Sequence, residues 1–161
     1  MRLGITPGQE IFAISADSFA LVFAPMLLVH SPLLGASSWE RFAEMASSRG
    51  HRCVVADLTG VATAGPPGWE YYVDSAVAAG GREEEPLVVV GHSGAGVFLP
   101  LIADRLGDGA AAVVLVDAVV PPAEGRFRVS PAMRQLVDSK TVDGTLLPWM
   151  DWWPRDLMEE L

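Results

Sequence analysis

The chain has 161 residues, half of them apolar, and it carries a formal net charge of −9. This length fits a single globular domain, and the acidic balance argues against nucleic acid or an anionic membrane surface as a partner. A single cysteine, Cys53, excludes an internal disulfide and a cysteine-rich zinc site. We expect no metal and no cofactor.

A strongly apolar run, IFAISADSFALVFAPMLLV, begins at Ile11 and contains Asp17 near its middle and Pro25 near its end. A membrane helix needs about 20 apolar residues with few charges, and a signal peptide needs a basic start, whereas only Arg2 precedes this run. We therefore interpret residues 1–25 as an extension or as extra strands. Met26 would suit a translation start, in which case the extension is not native. We expect a cytoplasmic protein.

Strands and helices alternate after Met26. Short apolar runs predict four strands, at residues 26–30, 52–58, 86–90 and 110–120. Apolar residues at helical spacing predict a helix in each interval, and Ser37 with Glu40 matches a capping box at the start of the first one. Continuous apolar strands separated by helices are typical of a parallel sheet covered on both faces. We expect a three-layer αβα sandwich with a mostly parallel, doubly wound sheet, built from residues 26–120.

Residues 121–161 have a different character. They are rich in proline, methionine and tryptophan, and they end in LLPWMDWWPRDLMEEL. We expect helices that pack over one end of the sheet as a lid, and not a further strand–helix unit.

The stretch VVVGHSGAGVF, residues 88–98, joins the third strand to the third helix. A nucleophile elbow places a serine on a tight strand-to-helix turn, and the strained backbone there requires small neighbours. Residues 91–95 match the pattern G-x-S-x-G, except that Ala95 replaces the last glycine. The N–H groups that begin the following helix would favour a developing oxyanion.

Residues 88–98 could also form a different kind of turn. A phosphate-binding P-loop would need a Lys-Ser/Thr pair after its glycines, and none is present. A dinucleotide fingerprint would use Gly91, Ser93 and Gly96, with Asp117 ending the next strand, but the Ser93 side chain would hinder close approach of a pyrophosphate. A glycine-rich turn without chemistry is the third alternative.

The chain resembles an α/β-hydrolase, in layout the esterase and hydroxynitrile-lyase branch. LLVHSPLLGASSWERFAEMASSRGHRCVVADLTG is similar to that family's third strand, oxyanion loop, first helix and fourth strand. PLVVVGHSGAGVFLPLIADRL resembles the fifth strand with its elbow, and AAAVVLVDAVVPP the sixth strand. The resemblance is strongest to small hydrolases of the actinobacterial type, and it covers residues 26–161.

The resemblance implies that Ser93 is the nucleophile of an acyl transfer from a small ester or related carbonyl compound. It also implies oxyanion donors at the N–H of Gly94 and in the loop after His30. The expected donor in that loop is Pro32, which has no N–H. The donor then shifts to Leu33, or the Ser31 hydroxyl helps. His30 itself is expected to be structural.

The family's catalytic histidine has no counterpart in this sequence. It follows the eighth strand in the family, whereas the last of the three histidines here is His92. The backbone of His92 is fixed beside the nucleophile, and His51 is expected at the far edge of the sheet, so neither suits the role of base. Asp117 is a candidate for the acid. We expect a hydrolase truncated at its C-terminus, with impaired catalysis and its sixth strand as an open edge through which copies could associate.

The substrate pocket is expected to include Ser31, His92 and Trp149. The tryptophans of the last segment, Trp149, Trp152 and Trp153, either pack as core or line an apolar acyl or aromatic pocket. Two alternatives to a hydrolase stay open, namely a degenerate, non-catalytic binding protein and a lyase on the same scaffold.

Overall fold

The computed structural model describes residues 24–65, 67–122 and 128–154. The predictions for residues 1–23 and for residues 155–161 lie outside the described residues. The main sheet contains strands β1 (Met26–Val29), β2 (Cys53–Val55), β3 (Leu87–His92) and β4 (Ala110–Val116). The four strands are parallel and are ordered β2-β1-β3-β4, which confirms the predicted parallel sheet.

Helices cover both faces of this sheet. Helix α1 (Ser37–Ser48) follows β1, α2 (Gly68–Gly80) follows β2, and α3 (Leu99–Leu106) follows β3. Because side chains alternate along a strand, Leu28 packs with Trp39 of α1 on one face, while Leu27 packs with Val73 of α2 and Ile102 of α3 on the other. The three-layer αβα architecture is thereby confirmed.

The central strands are buried on both faces, as their continuous apolar sequences require. Leu27, Leu28 and Val29 of β1 are fully buried, and Leu87 and Val89 of β3 are almost fully buried. A run of apolar residues without polar alternation is stable only where both faces of a strand are covered. The hydrophobic cores above and below β1 and β3 thus fix where these two strands end, and the loops after them carry the candidate site.

Strand β4 is covered much less. Val113, Val114 and Val116 are each about 40% exposed, at 42%, 41% and 40%. Among the residues that the structure describes, β4 pairs along one edge only, with β3. The strand contains neither a charged residue nor a proline, the features with which exposed strand edges are usually protected.

The capping-box prediction for Ser37 and Glu40 is wrong. Helix α1 begins at Ser37 itself, its N-cap is Ala36, and no side chain caps the first turn. The Ser38 hydroxyl instead donates to the carbonyl of Gly35. The turn that leads into the helix sets its start, so the spacing of Ser37 and Glu40 carries no capping function here.

The last described segment contains a short helix, α4 (Pro131–Ser139), and then a hairpin of β5 (Thr141–Val142) with β6 (Thr145–Leu146). The composition of this segment predicts only helices. The hairpin turns at Asp143 and Gly144, both of which have positive φ, at 48° and 77°. An Asp-Gly pair between two short strands is typical of this turn, so the signal was present in the sequence.

Candidate active site

Ser93 lies at the junction of β3 with a 3₁₀ turn, Ser93–Val97, that leads into α3. Its φ is +55°, in the left-handed region that a residue with a side chain rarely adopts. Such a conformation costs about 1–3 kcal/mol and persists only where the surrounding structure enforces it. Ser93 is half-buried, so the strained turn presents its side chain at the carboxyl end of the sheet.

The residues around Ser93 are small because the backbone packs closely there. A Cβ on Gly91 would lie 2.7 Å from the side chain of Leu99. A Cβ on Gly96 would lie 2.1 Å from the carbonyl oxygen of Val119, in the loop that follows β4. Ala95, where the family pattern has glycine, is fully buried in the core. The close approach falls on Gly96, which explains why alanine is accepted at position 95.

A backbone hydrogen bond joins the loop after β4 to the Ser93 turn. The N–H of Val119 donates to the carbonyl of Ser93 at 3.0 Å. Asp117, which directly follows β4, is exposed and has a φ of +41°. Ser93 and Asp117 thus follow two neighbouring strands, at the edge where open α/β sheets bind ligands. The structure brings both predicted residues to the same edge of the sheet.

His30 is held at the base of the loop after β1. Its Nε2 accepts the N–H of Leu58 at 3.0 Å, and because a backbone N–H can only donate, the ring proton must be on Nδ1. Nδ1 then donates to the carbonyl of Ser31 at 2.9 Å. The Tyr72 hydroxyl donates to the carbonyl of His30, and burial raises the pKa of that phenol. Both ring nitrogens of His30 are occupied, so the residue orders the loop.

The same loop contacts the residue after Ser93. A Cβ on Gly94 would lie 3.2 Å from Oγ of Ser31 and 3.4 Å from Cδ of Pro32. The N–H of Leu33 donates to Oγ of Ser31 at 3.3 Å. The predicted oxyanion residues Ser31, Leu33 and Gly94 therefore lie together, and the absence of a side chain at Gly94 allows the loop to come this close.

The remaining two histidines are directed elsewhere. The ring of His92 packs edge-on against Trp39 of α1, with the centroids 6.3 Å apart. His51 precedes β2 and lines a cavity with Ala24 and Met26. Since the strands are parallel, this places His51 at the amino end of the sheet, opposite Ser93. Within the described residues, no histidine is placed to accept the proton of Ser93.

Comparison with known proteins identifies the family of this chain. A model described as the alpha/beta hydrolase family matches residues 26–160. The chain belongs to the alpha/beta hydrolase family. It is also similar to the protein named Esterase PIR7B from Oryza sativa subsp. japonica, with 34% identity over 105 residues. That match covers 59% of this chain but only 38% of the rice protein, so the chain spans well under half of that relative.

In this alpha/beta hydrolase a cleft of about 490 Å³ lies between the loop after β1 and the hairpin segment. The walls of the cleft are mainly apolar, and no charged side chain is among its lining residues. They include Trp149, which the sequence predicts for the pocket. The lining residues are Pro32, Leu33, Val61, Gly144, Thr145, Leu146, Leu147, Pro148, Trp149 and Trp152. Ser31 and His92 are not among its lining residues. The sequence does not predict Pro32, Leu146 and Leu147 as pocket residues, because only the folded hairpin segment brings them together at the cleft.

Trp149, Trp152 and Trp153 form one cluster at this cleft. The rings of Trp149 and Trp152 have centroids 5.0 Å apart, and Trp149 contacts Trp153 at 5.4 Å. Trp152 is buried, and its Nε1 donates to the carbonyl of Leu147 at 2.9 Å. The indole hydrogen bond holds Trp152 in place, so this tryptophan is both buried and part of the cleft lining, whereas the partly exposed Trp149 lines the cleft only.

Potential metal ligands are scattered over the described part of the hydrolase. No three His, Cys, Asp or Glu side chains come together there as a metal ion would require. None of the described helices is both long and apolar enough to cross a bilayer.

Proposed function

We propose that this chain is an esterase-like serine hydrolase that acts by acyl transfer through Ser93. The observation that carries the proposal is the backbone of Ser93. Its φ of +55°, on a turn whose neighbours Gly91 and Gly96 admit no side chain, is the geometry that exposes a nucleophile at the end of a strand. A glycine-rich turn without chemistry would have no reason to hold a serine in a strained conformation.

The proposed reaction forms a covalent intermediate. Oγ of Ser93 attacks the carbonyl carbon of an ester and passes its proton to solvent water or to a dissolved base, and the carbonyl oxygen becomes an oxyanion that the Gly94 N–H can stabilise. Collapse of this tetrahedral intermediate breaks the bond to the alcohol, which leaves with a proton. Water then hydrolyses the acyl ester on Ser93 and regenerates the free hydroxyl.

The apolar cleft supports a neutral substrate with an aliphatic or aromatic group. Its walls include Leu33, Leu146 and Trp149 and no charged side chain, so a charged acyl group would be desolvated there without a partner. Residues 144–149 and Trp152 form one wall of this cleft, and their segment is proposed to act as a lid. Ser93 is not among the lining residues, and the cleft meets the site through Pro32, whose Cδ lies 3.4 Å from where a Cβ on Gly94 would be. The related rice protein carries the name esterase, which agrees with an ester as substrate.

Catalysis by this chain is proposed to be slow. His30 is fully engaged in hydrogen bonds, His92 packs on Trp39 and His51 lies at the other end of the sheet, so Ser93 has no base in the described residues. Enzymes of this kind that lack one triad member retain about 10³–10⁴-fold acceleration over water. Asp117 is the proposed acid that would orient a histidine supplied from elsewhere.

Chemical rescue tests this proposal. Hydrolysis of nitrophenyl esters of increasing acyl length is measured for the unmodified chain and for Ser93→Ala, each with and without added imidazole. Imidazole supplies the missing base, so we expect it to accelerate the Ser93-dependent part of the rate. The Ser93→Ala protein in the same imidazole concentration gives the background to subtract. A folded chain with no Ser93-dependent rate under either condition would instead support a non-catalytic, binding role for the same cleft.

A further inference from the structure

A second cavity lies at the amino end of the sheet, at the opposite end of the strands from Ser93. Its volume is about 350 Å³, which is within the range of cavities that bind small molecules. The lining residues are Ala24, Met26, Phe42, Met45, Ala46, Arg49, His51 and Val88. They belong to the sheet, to helix α1 and to the segments beside them, so a ligand in this cavity would not contact the candidate active site.

Two strands and one face of α1 form the apolar wall of this cavity. Met26 of β1 and Val88 of β3 are register partners in the parallel sheet, so their side chains lie next to each other on the same face. Phe42 and Ala46 are one helical turn apart and therefore share a face of α1. Val88 and Ala46 are buried, so a ligand that enters would pack its apolar atoms against an existing hydrophobic core.

The polar side chains of this cavity are basic. Arg49 and His51 line it and no acidic residue does, although acidic residues outnumber Lys and Arg in the chain by 20 to 11. The carbonyl of Ala46 accepts the backbone N–H groups of both residues, each at 3.0 Å, so the end of α1 holds them beside the apolar wall. An apolar wall next to a positive charge is complementary to an amphipathic anion.

The charge of Arg49 is not neutralised by an ion pair within the described residues. Arg52, three positions later, is paired with Glu83 at 3.4 Å and Glu85 at 2.8 Å. A guanidinium can bind a carboxylate through two parallel hydrogen bonds, and the ring of His51 has an N–H donor in its neutral as well as its charged form. A carboxylate at this cavity would therefore find two donor side chains.

We infer that this cavity binds a small monocarboxylate with an apolar body, of the medium-chain fatty acid class. Its carboxylate is held by Arg49 and His51, and its chain packs against Phe42 and Val88. An amine with the same apolar body would bring its charge next to that of Arg49. The binding is noncovalent and does not involve Ser93, so the inference does not depend on the proposed function.

Octanoate is the probe that tests the inference. It is titrated below its micelle concentration into the ¹⁵N-labelled chain, and the amides of Ala46 and Val88 are followed by NMR. We expect saturable shifts at both amides. Octanamide has the same length but no charge, and it should bind more weakly by about threefold or more. Arg49→Gln should weaken octanoate binding by about three- to tenfold, since Arg49 is exposed and water screens its charge.

Matched variants separate the charge of Arg49 from a structural role. Arg41→Gln changes the net charge equally at an exposed arginine of α1 that does not line the cavity, so it should bind octanoate as the unmodified chain does. Arg49→Lys keeps the charge and should keep most of the affinity. Ala46→Leu fills the cavity and should abolish the saturable shift at Val88. Should that variant fail to fold, Ala24→Leu, before β1, fills the same cavity from a loop and should have the same effect.

Four results would overturn the inference. The first is a loss of octanoate affinity smaller than about threefold in Arg49→Gln or for octanamide, and the second is a shift at Val88 that does not saturate. The third is a set of octanoate shifts confined to Leu33 and Leu146 of the cleft. The fourth is a change of the Val88 amide on dilution without octanoate, which would place a second copy of the chain on this face.

Ser93→Ala distinguishes this inference from the proposed function. The substitution lies at the other end of the sheet and should leave octanoate binding at Val88 unchanged. If no Ser93-dependent ester hydrolysis is found while octanoate still binds at Val88, the proposed function fails and the cavity assignment stands. If hydrolysis depends on Ser93 while octanoate does not bind at Val88, the cavity assignment fails and the proposed function stands.

Discussion

Gly96→Ala is the change that most directly perturbs the packing of the Ser93 turn. The new Cβ would lie 2.1 Å from the carbonyl oxygen of Val119 and 3.1 Å from Cβ of Ala118, so the turn and the loop after β4 must separate by about 1 Å. Overpacking of this kind costs about 1–3 kcal/mol. The separation also lengthens the hydrogen bond from the Val119 N–H to Ser93, which contributes about 1 kcal/mol.

These two effects predict a loss of about 2–4 kcal/mol in the free energy of unfolding, equivalent to about 5–15 °C in Tm for a chain of this size. Urea unfolding followed by tryptophan fluorescence measures the change. Gly109→Ala is the control, because its nearest neighbouring atom, Cβ of Leu106, would be 3.9 Å away. Equal stability of the two variants would refute the argument that close backbone packing holds the Ser93 turn.

Three other predictions concern the loop after β1, the cysteine and the free sheet edge. Tyr72→Phe removes the hydroxyl that donates to the buried carbonyl of His30, and it should lower the free energy of unfolding by about 1–3 kcal/mol. Tyr71→Phe is the control, because Tyr71 is 42% exposed, and it should change the free energy of unfolding little. Equal losses in the two variants would contradict the prediction. Burial raises the pKa of the Cys53 thiol, so at pH 8 the folded chain contains less thiolate than the urea-unfolded chain. Dithionitrobenzoate should therefore react more slowly with the folded form. The stabilisation of the folded state from this pKa shift is present below the thiol's ordinary pKa and is lost as the pH rises through the raised pKa. We propose that copies of the chain associate through the edge of β4 that no described strand covers. Val114→Lys should then reduce the concentration-dependent mass seen by light scattering, and an unchanged mass profile would argue against pairing there.

The parallel sheet could be predicted because its central strands are apolar runs, which are typical of a sheet covered on both faces. The runs around Leu28 and Val89 are uninterrupted, and both strands are central and buried. The ends of strands were less predictable. The prediction of residues 52–58 extends past β2, which ends at Val55, because the following residues turn so that the Leu58 N–H reaches the His30 ring, a contact between residues distant in sequence.

The turn that holds Ser93 could be predicted from the sequence because its steric requirements are local. Small residues around Ser93 are visible in the sequence, and the structure accounts for them by backbone contacts. The partners of that turn were not predictable in the same way. The contact of Gly96 with Val119 and the packing of His92 on Trp39 join separate elements, and only the folded chain shows them.

Covalent labelling of Ser93 tests the central claim most directly. The purified chain is treated with a fluorophosphonate, and the adduct is located by mass spectrometry of peptides, with Ser93→Ala as the control. We expect an adduct on Ser93, faster in added imidazole, and none on the exposed Ser38 of α1. A folded chain that remains unlabelled at Ser93 in imidazole, or that is labelled equally at Ser38, would contradict the assignment of Ser93 as nucleophile.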